Sequence, residues 1–319
     1  MGPTTVTKAA YASERDFYAL ELPGVDPAVI EKTLLGRVES EAAPILEQIR
    51  SSYRLPIEDG AAMGCLVAFV ALLHVRTSAA RDRLCAAADV AARRLLARAA
   101  PNEAVWEVER ERARAAGLKT DKLTYETVQS VIHGKVMSFD FHSNVHLLTM
   151  VTGLSKLVEV LVRRPWTLFV APPRSGLLVA SDCPVAFLRK SHRADQEHDS
   201  ESREIRLADP RQSDTVIAAA LGARVALVSD LELASGVRQS SPQEIAMLNA
   251  ATALPDARAV YAETRSFRWL DQHANEIHDS DALPEAFRRL ATLRDRYRDE
   301  VGARFRALLD SQDERERGN

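Results

Sequence analysis

Histidine, aspartate and arginine stand in three places where their types and spacing could serve chemistry. In Asp140-Phe-His142-Ser-Asn-Val-His146 two histidines lie four residues apart. On a helix that spacing puts both imidazoles on one face, where they could ligate one divalent metal, with Asp140 or His133 completing the shell. Helix-surface or hydrogen-bonded core histidines use the same spacing, and no third ligand is fixed by the pattern. In Ser181-Asp182-Cys183-Pro184 an aspartate follows an apolar run. It can end the strand as an Asx turn stiffened by Pro184, or face a cleft as an ionised acid. Cys183 would act as a nucleophile only beside a basic partner that lowers its pKa, and no neighbour in sequence supplies one. In His74-Val75-Arg76-Thr77 a guanidinium closes a very apolar stretch. Next to a buried face it must meet a carboxylate, carbonyls or an anionic ligand. Asp182 is a candidate partner, either in a structural bridge or in a shared ligand site.

Several familiar signatures are missing. The chain has no Gly-x-Gly-x-x-Gly, and Gly134-Lys135 lacks the upstream glycine and the hydroxyl residue of a phosphate loop. It has no Gly-x-Ser-x-Gly elbow and no His-Glu-x-x-His. No acidic residue stands two positions before a lysine, a spacing common in restriction-type nucleases.

The elements that must hold these groups read as follows. Asp26-Pro27 opens an amphipathic helix that runs to about Ser51, with Pro44 a kink inside it. A longer helical region extends from near Glu58 through Leu96. Further helices are expected over Pro101–Ala116, Lys122–His133 and Asp140–Arg164. Trp166–Ala171 and Leu177–Ser181, separated by Pro172-Pro173-Arg174-Ser175-Gly176, read as two strands of a hairpin. Ser191–Ser213 is polar and reads as an exposed loop. Thr215–Ala220 and Arg224–Ser229 form a second strand pair. Ser240 or Ser241, followed by Pro242-Gln243-Glu244, caps another helix with proline at its first position, running to about Ala253, and Arg258–Ala262 reads as a last strand. From Pro284 a long helix repeats Phe287, Leu290, Leu293, Tyr297, Val301, Phe305 and Leu308, and it either docks on the domain or forms a homo-oligomer contact. Residues 311–319 read as a solvated, disordered tail.

Bulk properties narrow the class. The 319 residues are 46% apolar and 27% charged, as in a soluble globular protein. Arginine outnumbers lysine 35 to 7. A net charge of −3 creates no field that would draw nucleic acid or an anionic membrane to the whole surface. Cys65, Cys85 and Cys183 are too scattered for a disulfide framework or a cysteine zinc site. Gly60–Val75 is apolar but too short for a membrane span, so a buried helix is expected. The amino terminus lacks an apolar signal core, which points to the cytoplasm.

Taken in order, Arg76-Thr77-Ser78, Trp166-Thr167, Ser181-Asp182-Cys183-Pro184-Val185 and Leu248-Asn249 resemble the motifs of a mostly bacterial family, domain of unknown function 4238. The resemblance covers roughly residues 15–265. Serine replaces the family's proline at position 78, and the usual opening His-x-x-Pro-x-x-x-Leu has no match before Asp16. The resemblance supports the fold reading and implies no established activity.

The expectation is a single α+β domain, predominantly helical, spanning residues 1–319. A helical bundle runs to about Arg164, followed by a small antiparallel sheet with covering helices and a helical extension over residues 266–310. Two functions fit. One is an intracellular binding or regulatory protein with a cleft between sheet and helices and no cofactor. The other is a hydrolase, metal-dependent through His142 and His146 and acting on nucleic acid, with Asp182 and Arg76 in its site. The second requires Arg76, Asp182 and a histidine in one pocket.

Overall fold

The structure, a computed structural model, describes residue 20 and residues 23–133, 143–189, 209–253, 257–271, 275–278, 280–283 and 285–286. The helix expected from Pro284 onward apart from residues 285–286, the tail, His142 and most of the Ser191–Ser213 loop lie outside the described residues. The chain divides into two compact units, one made of residues 1–79 and 150–319 and the other of residues 80–149.

Asp26, expected as an N-cap, instead holds the turn before the first helical segment, its Oδ1 accepting from the Ala28 amide at 2.9 Å, and the segment's N-cap is Val29. A π-helical turn over Ile30–Leu35 then leads into α1, Gly36–Ser52. Tyr53 closes α1 in the left-handed region, at φ 53°. α2, Gly60–Val75, is capped by Asp59, whose carboxylate accepts from the Ala61 and Ala62 amides. The long helix expected through Leu96 breaks at Arg76-Thr77, and α3, Ser78–Ala99, begins there. The break is local. Thr77 turns its hydroxyl back onto the His74 carbonyl, an orphan acceptor of the last turn. Alanine-rich periodicity continues through the break and hides it in the sequence. Among the described residues no single helix is long and apolar enough to cross a membrane.

The second unit is built from α3, α4 (Glu103–Ala115) and α5 (Tyr125–Ile132). Asn102 and Thr124 cap α4 and α5 through the Val105 and Thr127 amides. Its core is small: Ala100, Trp106 and Val128 are buried, with Leu96, Tyr125 and Ile132 packed around them. The Trp106 indole donates to the Leu123 carbonyl at 3.1 Å. α6 follows over Ser143–Leu161.

Strands begin at β1, Thr167–Val170, followed by β2 (Ala180–Ser181), β3 (Val185–Arg189), β4 (Thr215–Gly222), β5 (Val225–Ser229) and β6 (Gly236–Gln239). After α7, Pro242–Ala253, come three two-residue strands: β7 (Val260–Tyr261), β8 (Trp269–Leu270) and β9 (Glu276–Ile277). The fold is α+β and helix-rich, as the sequence implies. The main sheet, in the order β3-β4-β5-β1-β6, is mixed rather than antiparallel, because β6 runs parallel to β1.

The hairpin expected within residues 166–181 does not form. β1 has both edges occupied, by β5 and β6, so no edge is left for Leu177–Ser181. Two prolines and Gly176, at φ 103°, carry the chain away instead, and β2 pairs with β7. The β4–β5 hairpin appears as expected, with a bulge between Ala220 and Gly222.

α7 covers one face of the sheet. Ile245, Met247, Leu248 and Ala251 pack with Phe169, Val216, Ala218 and Val228 in one apolar cluster. Phe267, Trp269 and Leu270 close over the outer side of α7, so Glu244 through Ala253 are all buried. That explains an apolar helix with no polar face. Side chains alternate along β3, so Phe187 points opposite Ala186 and Leu188; there its ring meets His74 of α2, centroids 4.2 Å apart. α2 and α7 therefore sandwich the sheet in this unit.

A capping box starts α7 as the sequence predicts. Ser241 Oγ accepts from the Glu244 amide, and Glu244 Oε2 accepts from the Ser241 amide at 2.7 Å. Glu244 is fully buried, and its second oxygen takes Arg238 Nη2 at 2.7 Å while that guanidinium lies over the Phe169 ring.

Candidate functional site

Arg76 and Asp182, which the sequence offered as one site, each have other partners. Arg76 caps the end of α2 and pairs with Glu39 of α1. Asp182 is held by backbone: its Oδ1 accepts from the Arg258 amide at 2.9 Å and the Ala259 amide at 3.1 Å. The Asp182 amide returns a bond to the Ala259 carbonyl at 3.2 Å. The expected Arg76–Asp182 bridge is not formed. Neither His142 nor the side chain of His146 falls within the described residues, although His146 stands in α6. Among the described residues no group of three or more His, Cys, Asp or Glu could hold a metal ion. Cys183 is buried, its amide bonded to Ser181 Oγ.

Next to the segment that Asp182 clamps, the chain builds a pocket of about 270 Å³. One wall is Leu178–Ala180, a second is Ala220 with the Gly222-Ala223 turn, and a third is Tyr261–Glu263. The lining is small and apolar apart from the Tyr261 phenol and the Glu263 carboxylate. Each wall is fixed by bonds that cross large sequence distances. Asp182 clamps residues 258–259, and Ser181↔Val260 and Ala180↔Tyr261 pair in the adjoining ladder, which sets Tyr261. Ser181 Oγ donates to the Thr252 carbonyl at the end of α7. Leu178 donates to the Ala223 carbonyl.

Asn249 holds the first wall. This fully buried residue of α7 accepts from the Val179 amide at 2.9 Å and donates to the Leu177 and Arg268 carbonyls, both at 2.8 Å. One amide group thus satisfies three backbone groups that no ladder reaches.

Tyr261 ionises above the ordinary tyrosine range. Burial is the larger cause, and the neighbouring Asp182 charge adds to it. The phenol is therefore a proton donor throughout the neutral range. Its titration should be visible as the difference between wild type and Tyr261→Phe in an ultraviolet pH titration, with a midpoint above about 10. In Asp182→Asn the midpoint falls only part of the way, because burial remains. A normal midpoint in wild type would contradict this placement of the phenol.

The sequence model of the family described as "Protein of unknown function (DUF4238)" matches residues 3–266. The chain belongs to DUF4238. No curated protein and no solved structure matches it. In this DUF4238 member the Trp166-Thr167, Ser181-Asp182 and Leu248-Asn249 motifs make bonds that hold the framework. Thr167 Oγ1 donates to the Ala234 carbonyl and the Trp166 indole to the Leu161 carbonyl, fixing the α6–β1 joint beside β6. Ser181 and Asp182 set one pocket wall, and Asn249 sets another. The strand expected over Arg258–Ala262 appears as β7, but nothing in the sequence marked Tyr261 or Glu263 as pocket residues. An asparagine inside an otherwise apolar helix was the available signal for the Asn249 clamp.

Proposed function

We propose that this DUF4238 protein is a binding protein whose small ligand sits in the pocket walled by Leu178–Ala180, Ala220–Ala223 and Tyr261–Glu263. The observation that carries this reading is the use of Asp182. Its carboxylate is engaged in holding the pocket wall through residues 258–259, and the polar side chains left on the lining are those of Tyr261 and Glu263. Arg76 likewise spends its charge on Glu39. A mostly apolar cavity with a few placed polar groups is the usual form of a small-molecule site, and this one lies at the small end of the range. The ligand is accordingly a compact, largely apolar molecule with a hydrogen-bond acceptor for the phenol. We place the protein in the cytoplasm, in keeping with three free thiols in Cys65, Cys85 and Cys183.

The test is a ligand-observed NMR screen with neutral, cationic and anionic aromatic fragments. Ala262 is exposed at the pocket rim, so Ala262→Trp fills the cavity without disturbing the core. Hits should lose binding in Ala262→Trp and weaken in Tyr261→Phe, with melting temperatures unchanged. Fragments that bind Ala262→Trp as well as wild type would defeat the assignment. So would a hydrolytic activity abolished by Asp182→Asn in a folded protein.

A further inference from the structure

The end of the sheet that carries the β4–β5 turn gathers positive charge without a counter-charge. The bulge before Gly222 takes Leu221 out of the regular ladder, and its carbonyl accepts from Arg50 Nε at 2.7 Å. Arg50 lies in the last turn of α1 and rests on Gly222, its Nε and Cγ within 3.4 and 3.5 Å of where a Cβ would stand. Arg50 uses one of its five donors there, and both Nη groups remain open. Arg224, in the turn itself, touches the Ala171 carbonyl through Nη1 at 3.4 Å and makes no other side-chain bond.

Among the described residues neither guanidinium meets a carboxylate. Glu47, one turn before Arg50, and Glu263 of the pocket are exposed and pair with neither. By contrast Arg37, Arg112, Arg114 and Arg163 each meet an acid about one helical turn away. Leu221 and Ala171 flank β5 on either side, so the two anchoring carbonyls stand on the order of 10 Å apart. Arg174, exposed in the turn after β1, also has no partner.

We propose that Arg50 and Arg224 form a binding site for the phosphate group of an anionic ligand at the tip of the β4–β5 hairpin. Two guanidiniums anchored on carbonyls on the order of 10 Å apart offer donors from two sides to an anion that enters between them. A guanidinium fork matches an oxyanion through paired N–H bonds. One fork suffices for a carboxylate. A phosphate, with three terminal oxygens and nearly two charges, takes a fork on each side. The site adjoins the apolar pocket, which shares the Gly222-Ala223 turn, and phosphate binding does not require that pocket to be occupied.

Calorimetric titration of the full chain with inorganic phosphate, at ionic strength matched with chloride, tests the proposal. Wild type should bind phosphate saturably and bind acetate far less. Arg50→Gln and Arg224→Gln should each weaken phosphate roughly tenfold. Arg163→Gln, which removes a paired surface arginine, should leave it unchanged. Arg224 lies in an exposed turn outside the helix, so its variant reports even if Arg50→Gln disturbs α1. Sedimentation with phosphatidylcholine vesicles, with and without phosphatidic acid, distinguishes the source of the group. Retention only on phosphatidic acid identifies a lipid headgroup, and phosphate binding without retention identifies a soluble phosphate ester. Absence of saturable phosphate binding in wild type, or unaltered affinity in Arg224→Gln, overturns the proposal.

Discussion

Asn249→Ala should destabilise the protein by about 3–5 kcal/mol, because three buried backbone groups lose their partners at once and each such loss costs about 1–3 kcal/mol. For a unit of this size that corresponds to a fall in melting temperature on the order of 10 °C. The lost volume is a lesser effect, since the substitution removes only a short side chain. Asn249→Asp separates the two contributions. It keeps the acceptor for Val179 but turns an oxygen toward the Leu177 and Arg268 carbonyls. That carboxyl is easier to protonate folded than unfolded, so its pKa is raised in the native state. A raised native pKa contributes stability below the unfolded value that is lost as pH rises through the native one. The aspartate variant should thus gain on wild type as pH falls, whereas the alanine variant should not. Denaturant unfolding followed by circular dichroism at several pH values checks both. An alanine variant within about 1 kcal/mol of wild type would show that the clamp is not sustained in solution.

Arg164→Ala should cost a comparable amount, about 3–5 kcal/mol, as expected for removing one partner from a buried charge network. Arg164 sits between α6 and β1 and is 5% exposed. Its Nε donates to Ser229 Oγ at 2.9 Å, Nη1 to the Pro210 carbonyl at 2.6 Å and Nη2 to the Thr215 carbonyl at 2.6 Å. Burial lowers its pKa, and the charge of the fully buried Asp230 works in the opposite direction. Without the guanidinium, Asp230 loses that positive charge and several carbonyls lose donors. Arg164→Lys should recover only part of the loss. An ammonium has three donors on one atom and cannot span acceptors on three segments. Equal stability of the lysine variant and wild type in chemical denaturation would argue against the fork.

What the sequence discloses divides along the range of the interactions. The capping box at Ser241 and Glu244 was legible because its partners stand three residues apart. The β4–β5 hairpin was legible because two apolar runs flank a short turn. β1 was legible as a strand, but its neighbours were not, since Val170 pairs with Val225 and Gln239 far along the chain. The strand β3, directly after Pro184, was masked by the turn before it. Asp182 was singled out for its place after an apolar run, but in place of the expected Asx turn its carboxylate clamps the Arg258 and Ala259 amides from a distant segment. Arg76 needed a carboxylate, as its setting implied. The one it found, Glu39, lies on a helix whose packing no local pattern reveals. The pocket is the least legible feature, because its walls come from three segments joined by side-chain bonds to backbone.

The strand order has a consequence for biosynthesis. β1 leaves the ribosome well before either neighbour, since it needs Val225–Val228 on one edge and Gly236–Gln239 on the other. For more than fifty residues of translation, about 3–10 s at ordinary elongation rates, the nascent segment Thr167–Val170 has no sheet to join. Its apolar side chains are then available to chaperones, or to other nascent chains. Closure of the central sheet waits on β6, so the unit containing it matures late, whatever helices have already formed ahead of it.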